Sequence, residues 1–239
     1  MWLWIGHAVY RGPSLRLDRH SGSVHCLAVG VDGPFALHAD SFDRRTVRSA
    51  LIPPRTLHRV VAHQTRMLFC YIDPGSPRAH ACWEQMTERV HEFGIHHHHE
   101  TALIRLADRD GMDPAEVMDI VCGPARIRLD PRIAAATAIV RAHPTRSITA
   151  DELAAEVQLS KSRLLHLFTE HAGTTFRRYR VWARMLAVGR AVAKGADFTT
   201  AAADAGFASP SHFSDTFHAM CGLSATDLLS AGARINVLD

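Results

Sequence analysis

Between Thr149 and His218 the chain states one pattern twice, and that pattern admits few folds. In the first copy Thr149-Ala150-Asp151-Glu152 reads as a capping box that opens a helix turning Leu153 and Ala154 inward. Ala154 and Ala155 are small where two helices must cross. A three-residue turn, Val157-Gln158-Leu159, delivers Ser160 as cap of the next helix, whose Leu164, Leu167 and Phe168 form a buried stripe. That leaves Lys161, Ser162, Leu165, His166 and Thr169 on the outer face. The second copy runs from Thr199 to His218. Ala201-Ala202 is its small crossing pair, Gly206 permits the tight turn, Phe207 plugs the core, and Ser209 caps a helix with Pro210 at its first position. Phe213 and Phe217 form its buried stripe, with Ser211, Ser214, Asp215 and His218 outward. A long helix over 175–193, bearing Arg177, Arg178, Arg180, Arg184 and Arg190, joins the copies. One helical hairpin is commonplace, whereas two in tandem on a joining helix are a specific helix-turn-helix signal.

The rest of the chain divides around this pattern. From Leu129-Asp130-Pro131 onward the periodicity is helical, with helices expected over 131–142, 150–157, 161–171, 175–193, 200–205, 210–220 and 225–229. Before residue 77 the grammar is that of strands. Val24 to Val31 precedes Asp32-Gly33, a hairpin signal, then 34–38. Thr46 to Ile52 leads into Pro53-Pro54, followed by 57–62 and 67–72. Strands at this spacing predict a sandwich or small barrel. Between the two parts, Trp83, Met86, Val90 and Phe93 recur at helical spacing, and further helices are expected over 101–107 and from Asp113-Pro114 to Gly123. The stripe would dock a helix on the barrel or serve as a self-complementary dimer contact. The expected fold is therefore α+β and multidomain. It has a β-rich part at 1–76, connecting helices at 77–129, and an all-α part at 130–239 holding two helix-turn-helix units at about 150–171 and 199–220.

The stretch from Ile148 to Leu229, and above all Ala205-Gly-Phe-Ala-Ser-Pro-Ser-His-Phe-Ser-Asp-Thr-Phe217, resembles the DNA-binding domain of the AraC/XylS transcription regulators. The resemblance covers about Pro131 to Leu229. It implies two recognition helices entering adjacent major grooves of double-stranded DNA, with no catalysis. Ser162, Leu165 and His166 would then face bases, with Thr169 beside them and Lys161 near phosphate. Ser211, Ser214 and Asp215 take the matching places in the second unit. Ala154, Leu164, Phe168, Gly206, Phe207, Phe213 and Phe217 are its structural positions. Three residues depart from the pattern: Asp215, an acid where a basic or neutral residue is common; Ala201, where a branched apolar residue is usual; and Ala225, where proline is typical. These departures assign most of the affinity to the first unit. The β-rich part is similar to the cupin-like effector domains of this family, with Ser49 to His58 as the local match. That implies an unidentified small-molecule effector or a metal. Homodimers and contact with RNA polymerase are further implied partners.

Composition is consistent with this reading. A formal charge of +3, 25 Arg plus 2 Lys against 24 acids, permits nucleic-acid binding without demanding it. From Asp130 to Asp239 there are 12 basic and 10 acidic residues. No window is apolar enough to span a bilayer, the N-terminal MWLWIGHAVY reads as a strand, and five cysteines without a CxxC pair fit a reduced cytoplasm. Cys70 sits on an alternating apolar strand and reads as core. The histidines keep two rivals open. His96, His99 and Glu100 could share a helical face and hold a divalent ion, making the chain a metal-responsive regulator, or the tract is simply solvated. A cupin-type metalloenzyme is the other rival. His20 and His25, and His58 and His63, are each five apart, without the HxH pair and following glutamate that such a centre uses. A ligand pocket inside the barrel would draw on Leu27, Val29, Phe35, Leu51 or Phe69.

Overall fold

The computed structural model describes residues 1–63, 65–124 and 129–238. Residues 125–128, which end the expected connecting segment, lie outside the described residues. The β-rich part begins with β1 (Trp2–Trp4), β2 (His7–Pro13), β3 (His25–Gly30), β4 (Phe35–Ala39), β5 (Phe42–Val47), β6 (Ser49–Ile52), β7 (His58–Val61) and β8 (Arg66–Ile72). Then come α1 (Pro77–Glu84), β9 (Met86–Val90), β10 (Phe93–His97), α2 (Glu100–Asp108) and α3 (Pro114–Cys122). The helical part holds α4 (Pro131–Ala142), α5 (Ala150–Glu156), α6 (Lys161–Ala172), α7 (Phe176–Ala193), α8 (Phe198–Asp204), α9 (Pro210–Cys221) and α10 (Ala225–Ser230). The short β11 (Asn236–Val237) closes the order.

Eight strands form one sheet in the order β11-β1-β2-β8-β3-β6-β10-β9, and β5-β4-β7 form a second. The large sheet is buried on both faces, which its central strands show residue by residue. Along β8, Leu68, Cys70 and Ile72 pack toward α1–α3, whereas Met67, Phe69 and Tyr71 take the opposite face, covered by the small sheet and the second helical unit. β3 alternates the same way, Leu27 and Val29 against Cys26 and Ala28. Strict period-two alternation between two apolar environments makes such strands continuously hydrophobic.

Two expectations need correction here. Asp32-Gly33 does not close a hairpin: β3 belongs to the large sheet and β4 to the small one. The Thr65 hydroxyl accepts from the Asp32 and Gly33 amides, and the Asp32 carboxylate accepts from the Arg66 amide at 2.8 Å, so the turn is held to the start of β8. The stripe Trp83, Met86, Val90, Phe93 is not one helix face. α1 stops at Glu84, and β9 and β10 form an antiparallel hairpin whose loop carries His91 at φ +52°. Met86 packs with the α1–α3 cluster while Val90 and Phe93 pack with the opposite one. Spacings of three and four match the helical period, but over so short a run the β-branched Thr87, Val90 and Ile95 override it in favour of strands. β10 then pairs with β6, so segment 77–124 contributes two strands to the large sheet as well as three helices.

The helices of the C-terminal part fall where the caps place them. Asp130, Thr149, Ser160, Thr175, Ser209 and Ser224 each accept from a backbone amide in the first turn. One start moves: α8 begins at Phe198 because Asp197 caps it, accepting from the Thr200 amide at 3.0 Å. No helix among the described residues is long and apolar enough to cross a membrane.

The two helical units are not equivalent in their cores. Leu129, Ile133, Leu153, Leu164, Phe168 and Tyr179 form a cluster made entirely by α4–α7 and their flanks. The second cluster joins Trp182, Leu186, Ala202, Phe207 and Phe213 to Leu3, Ala8 and Val24 of the β-rich part. The first unit thus has its own core, and the second shares one with the sheet.

Candidate nucleic-acid interface and seam cavity

α6 and α9 occupy the same place in their units, each following a short helix and a tight turn. In the first, Thr149 and Glu152 make the reciprocal capping box, with the Glu152 carboxylate accepting from the Thr149 amide at 2.7 Å. Gln158 at φ +56° turns the chain, and the Leu159 amide returns to the Ala154 carbonyl at 2.8 Å. Ala154, Leu164, Leu167 and Phe168 are buried, as their spacing requires. In the second unit Gly206 turns at φ +81°, and the Phe207 amide returns to the Ala202 carbonyl. Phe207 and Phe213 are buried, while Phe217 is only half-buried and also packs against the β-rich part.

The outer faces differ in chemistry. On α6, Lys161, Ser162, Leu165 and His166 are exposed and Thr169 is half-buried. Lys161 pairs with Asp151 at 2.8 Å, and His166 lies 3.6 Å from Glu170. The Thr169 hydroxyl donates to the Leu165 carbonyl. Leu165 is one of four large apolar side chains described as exposed, at 37%. Arg163, which the sequence pattern did not single out, is also exposed on α6. Its signal was available, because a basic residue three positions past an N-cap and off the buried stripe has nowhere to go but solvent.

On α9, Ser211, Ser214 and Asp215 are exposed. His218 is exposed too but is drawn to the β-rich part, 3.1 Å from the Asp18 carboxylate. Ala201 and Ala225 are buried in the core that α9 shares with the sheet. Among the five arginines of α7, Arg177 is exposed. Arg178 donates to the Ser21 and Gly22 carbonyls, Arg184 donates to the Gly206 carbonyl at 2.9 Å, and Arg180 lies over the Phe176 ring. Burial lowers the Arg180 and Arg178 pKa values from their ordinary range. Three of the five therefore serve the fold.

The β-rich part holds both units. The Asp73 carboxylate, at the end of β8, accepts from Arg141 of α4 and from the Tyr179 hydroxyl of α7 at 3.2 Å. One turn along α7, the Trp182 indole donates to the Gly6 carbonyl at 3.0 Å. The Asp18 amide donates to the Gly222 carbonyl and the Ser21 amide to the Ala219 carbonyl, which ties the end of α9 to segment 18–21. β11 adds itself in parallel to β1.

Between the sheet and the second unit lies a narrow, partly open apolar cavity of about 80 Å³. Tyr10, Phe69 and Tyr71 form its sheet wall, Trp182 and Leu186 its α7 wall, and the inner side of α9 contributes Phe213, Phe217 and Cys221. The pocket expected inside the barrel is therefore at the seam. Phe69 lines it, whereas Leu27, Val29 and Leu51 face α1–α3 and Phe35, on the small sheet, packs between the two sheets away from the seam.

The metal candidates do not come together. His96 lies on β10 at φ +59° and is exposed, His99 stands in the turn before α2, and Glu100 begins α2 with its carboxylate held by the Ser49 hydroxyl. The strand that replaces the expected helix separates them. Among the described residues no group of three His, Cys, Asp or Glu is placed to hold a metal ion. His20 and His58 do meet, with ring centroids 4.3 Å apart, and the Nδ1 of each lies 2.9 Å from a backbone carbonyl. Burial pushes the His58 pKa down to about 3, and Cys26, Cys70 and Cys82 are buried thiols with pKa values raised by burial.

A family of helix-turn-helix domains matches residues 153–231. No curated protein matches the chain in sequence. Among solved structures, ToxT from Vibrio cholerae is similar at 13% identity with a TM-score of 0.62, covering 95% of this chain and 98% of that one. Its apo form gives 14% and 0.64, over 95% and 97% of the two chains. The same protein bound to an unsaturated fatty acid gives 12% and 0.60, over 93% and 94%.

Proposed function

From a helix-turn-helix domain at 153–231 carried behind a β-rich domain, we propose that this chain is a sequence-specific, DNA-binding transcription regulator of the AraC/XylS kind. The observation that carries the reading is the pair of capped, outward-facing helices α6 and α9 hung from the single helix α7. α6 reads bases through Ser162, Leu165 and His166, with Lys161 and Arg163 toward phosphate. α9 reads through Ser211, Ser214 and Asp215. An exposed leucine suits the thymine methyl, and a carboxylate accepts from a cytosine amine while repelling phosphate. The chain performs no chemistry of its own. It works in the cytoplasm, as a homodimer where its operator is paired, and it contacts RNA polymerase when bound upstream of a promoter.

The β-rich part, residues 1–124, is the sensor, because the β9–β10 hairpin joins its large sheet and α1–α3 cover one face of it rather than standing apart. Its effector enters the seam cavity, whose walls include the inner side of α9. ToxT has been solved with an unsaturated fatty acid, and an apolar effector here would bias the placement of α9 by differential affinity for two arrangements. The test is recovery of fragmented genomic DNA by the purified protein at near-physiological salt, read by sequencing. Two half-motifs about one helical turn apart support the proposal. Uniform recovery, both alone and with an apolar cell extract, refutes it.

A further inference from the structure

We infer that the effector of the seam cavity is an uncharged, largely apolar molecule with one hydrogen-bonding group, which meets the Tyr71 hydroxyl. The inference rests on reading that cavity as the effector site. Among the described residues its walls contain no Lys, Arg or His side chain and no acid. An ionised carboxylate buried there would lose its water without gaining a cation, a cost that apolar contact does not offset.

The polar groups of the wall are few and mostly committed. The Tyr10 hydroxyl donates to the Pro13 carbonyl at 2.8 Å, and the Trp182 indole donates to the Gly6 carbonyl. The Tyr71 hydroxyl makes no hydrogen bond to a described residue. Tyr71 lies on β8 with its ring 5.8 Å from that of Trp182, and it borders this cavity as well as the smaller one that holds His20, His58 and Cys26. Burial raises its pKa well above the ordinary tyrosine value, so it acts as a neutral donor or acceptor. A site of this kind distinguishes ligands by charge first and by one hydrogen bond second.

The experiment titrates the full-length protein with 1-decanol and, separately, with decanoate at pH 8, where the acid is ionised. Binding is read by calorimetry and by intrinsic tryptophan fluorescence, to which Trp182 of the cavity wall contributes. The expected result is one equivalent of decanol bound, with decanoate at least about tenfold weaker. Tyr71→Phe, which keeps the ring, is expected to weaken decanol about three- to tenfold and to leave decanoate unchanged. Decanoate binding as tightly as decanol, or Tyr71→Phe weakening both alike, overturns the inference while leaving the cavity as the effector site. Binding of neither probe overturns the effector site as well, and the DNA-recovery experiment stands apart from both outcomes.

Discussion

Asp73→Asn is the substitution that most directly tests how the β-rich part holds the first helix-turn-helix unit. The Asp73 side chain is 1% exposed and its Arg141 partner 22% exposed, so the pair is largely removed from water. Its carboxylate also accepts from the Gly75 amide at 2.7 Å and the Tyr179 hydroxyl at 3.2 Å. Desolvation pulls on the Arg141 pKa, but the nearby Asp73 charge and the Tyr179 hydroxyl leave it raised. Asparagine can keep the Gly75 and Tyr179 bonds but leaves a half-buried guanidinium without its counter-charge. Breaking a buried pair from one side costs about 3–5 kcal/mol, and the lower end applies because Arg141 can reach solvent along its exposed edge. About 3 kcal/mol corresponds to a loss of about 6–12 °C in Tm for a chain of this size. Urea and thermal unfolding followed by tryptophan fluorescence provide the assay. Arg141→Met in the Asp73→Asn background should recover part of the loss, since a pair removed together costs less than one orphaned partner. A single-mutant cost below about 1 kcal/mol, or strict additivity of the two changes, would refute the coupling.

Three further outcomes follow from the same geometry. Burial holds the pKa values of His25 and His58 near about 3, against 6.5 in the unfolded chain, so the native state takes up fewer protons than the unfolded state below 6.5. Stability should therefore fall as pH drops from about 6.5 toward 3, by about 4 kcal/mol between pH 7 and pH 5 for the two together, and a flat urea midpoint over that range would contradict it. His166→Ala should weaken operator binding by roughly tenfold and Asp215→Ala by less than about threefold in a gel-shift titration, whereas equal losses would end the assignment of most affinity to the first unit. Arg163→Ala should weaken binding evenly across sequences and lower the salt slope by about 0.9, and a sequence-dependent loss would make it a base reader instead.

The C-terminal part was legible in the sequence because its signals are local. Caps such as Thr149, Ser160 and Ser209, and the positive-φ glycine at Gly206, act within a few residues of the backbone they fix. The strands of the β-rich part were legible one by one for the same reason, but their partners were not. Asp32-Gly33 has the chemistry of a hairpin turn, yet Thr65 and Arg66, more than thirty residues away, bind it and send β4 to another sheet. The Trp83-to-Phe93 stripe misled because its helical spacing runs across three elements: Trp83 ends α1, Met86 and Val90 lie on β9, and Phe93 begins β10. The candidate site divides along the same line. The outward face of α6 follows from periodicity alone, whereas the seam cavity needs residues from β2, β8, α7 and α9 that no spacing connects.

The difference between the two helical cores gives the chain a direction of control. The first unit closes its own core within residues 129–183 and meets the β-rich part through Asp73 rather than through the walls of the seam. The second unit borrows Leu3, Ala8 and Val24 from the sheet, and α9 presents Phe213 and Phe217 to the cavity and Ser211 and Asp215 to solvent. If an effector enters the seam, as proposed, it cannot move the inner side of α9 without moving the outer side too. Gly222 sharpens this, because it turns at φ +74° with its would-be methyl 2.7 Å from the Asp18 carbonyl and 2.6 Å from His20 Nδ1. Gly222→Ala should thus strain the backbone and push the end of α9 off segment 18–21, at a cost of about 1–3 kcal/mol. Recognition of the second half-site should change, while affinity for an isolated first half-site stays within about twofold. If the substitution weakened both half-sites equally, the two units would be coupled through α7 rather than independently seated, and the seam could not act on α9 alone.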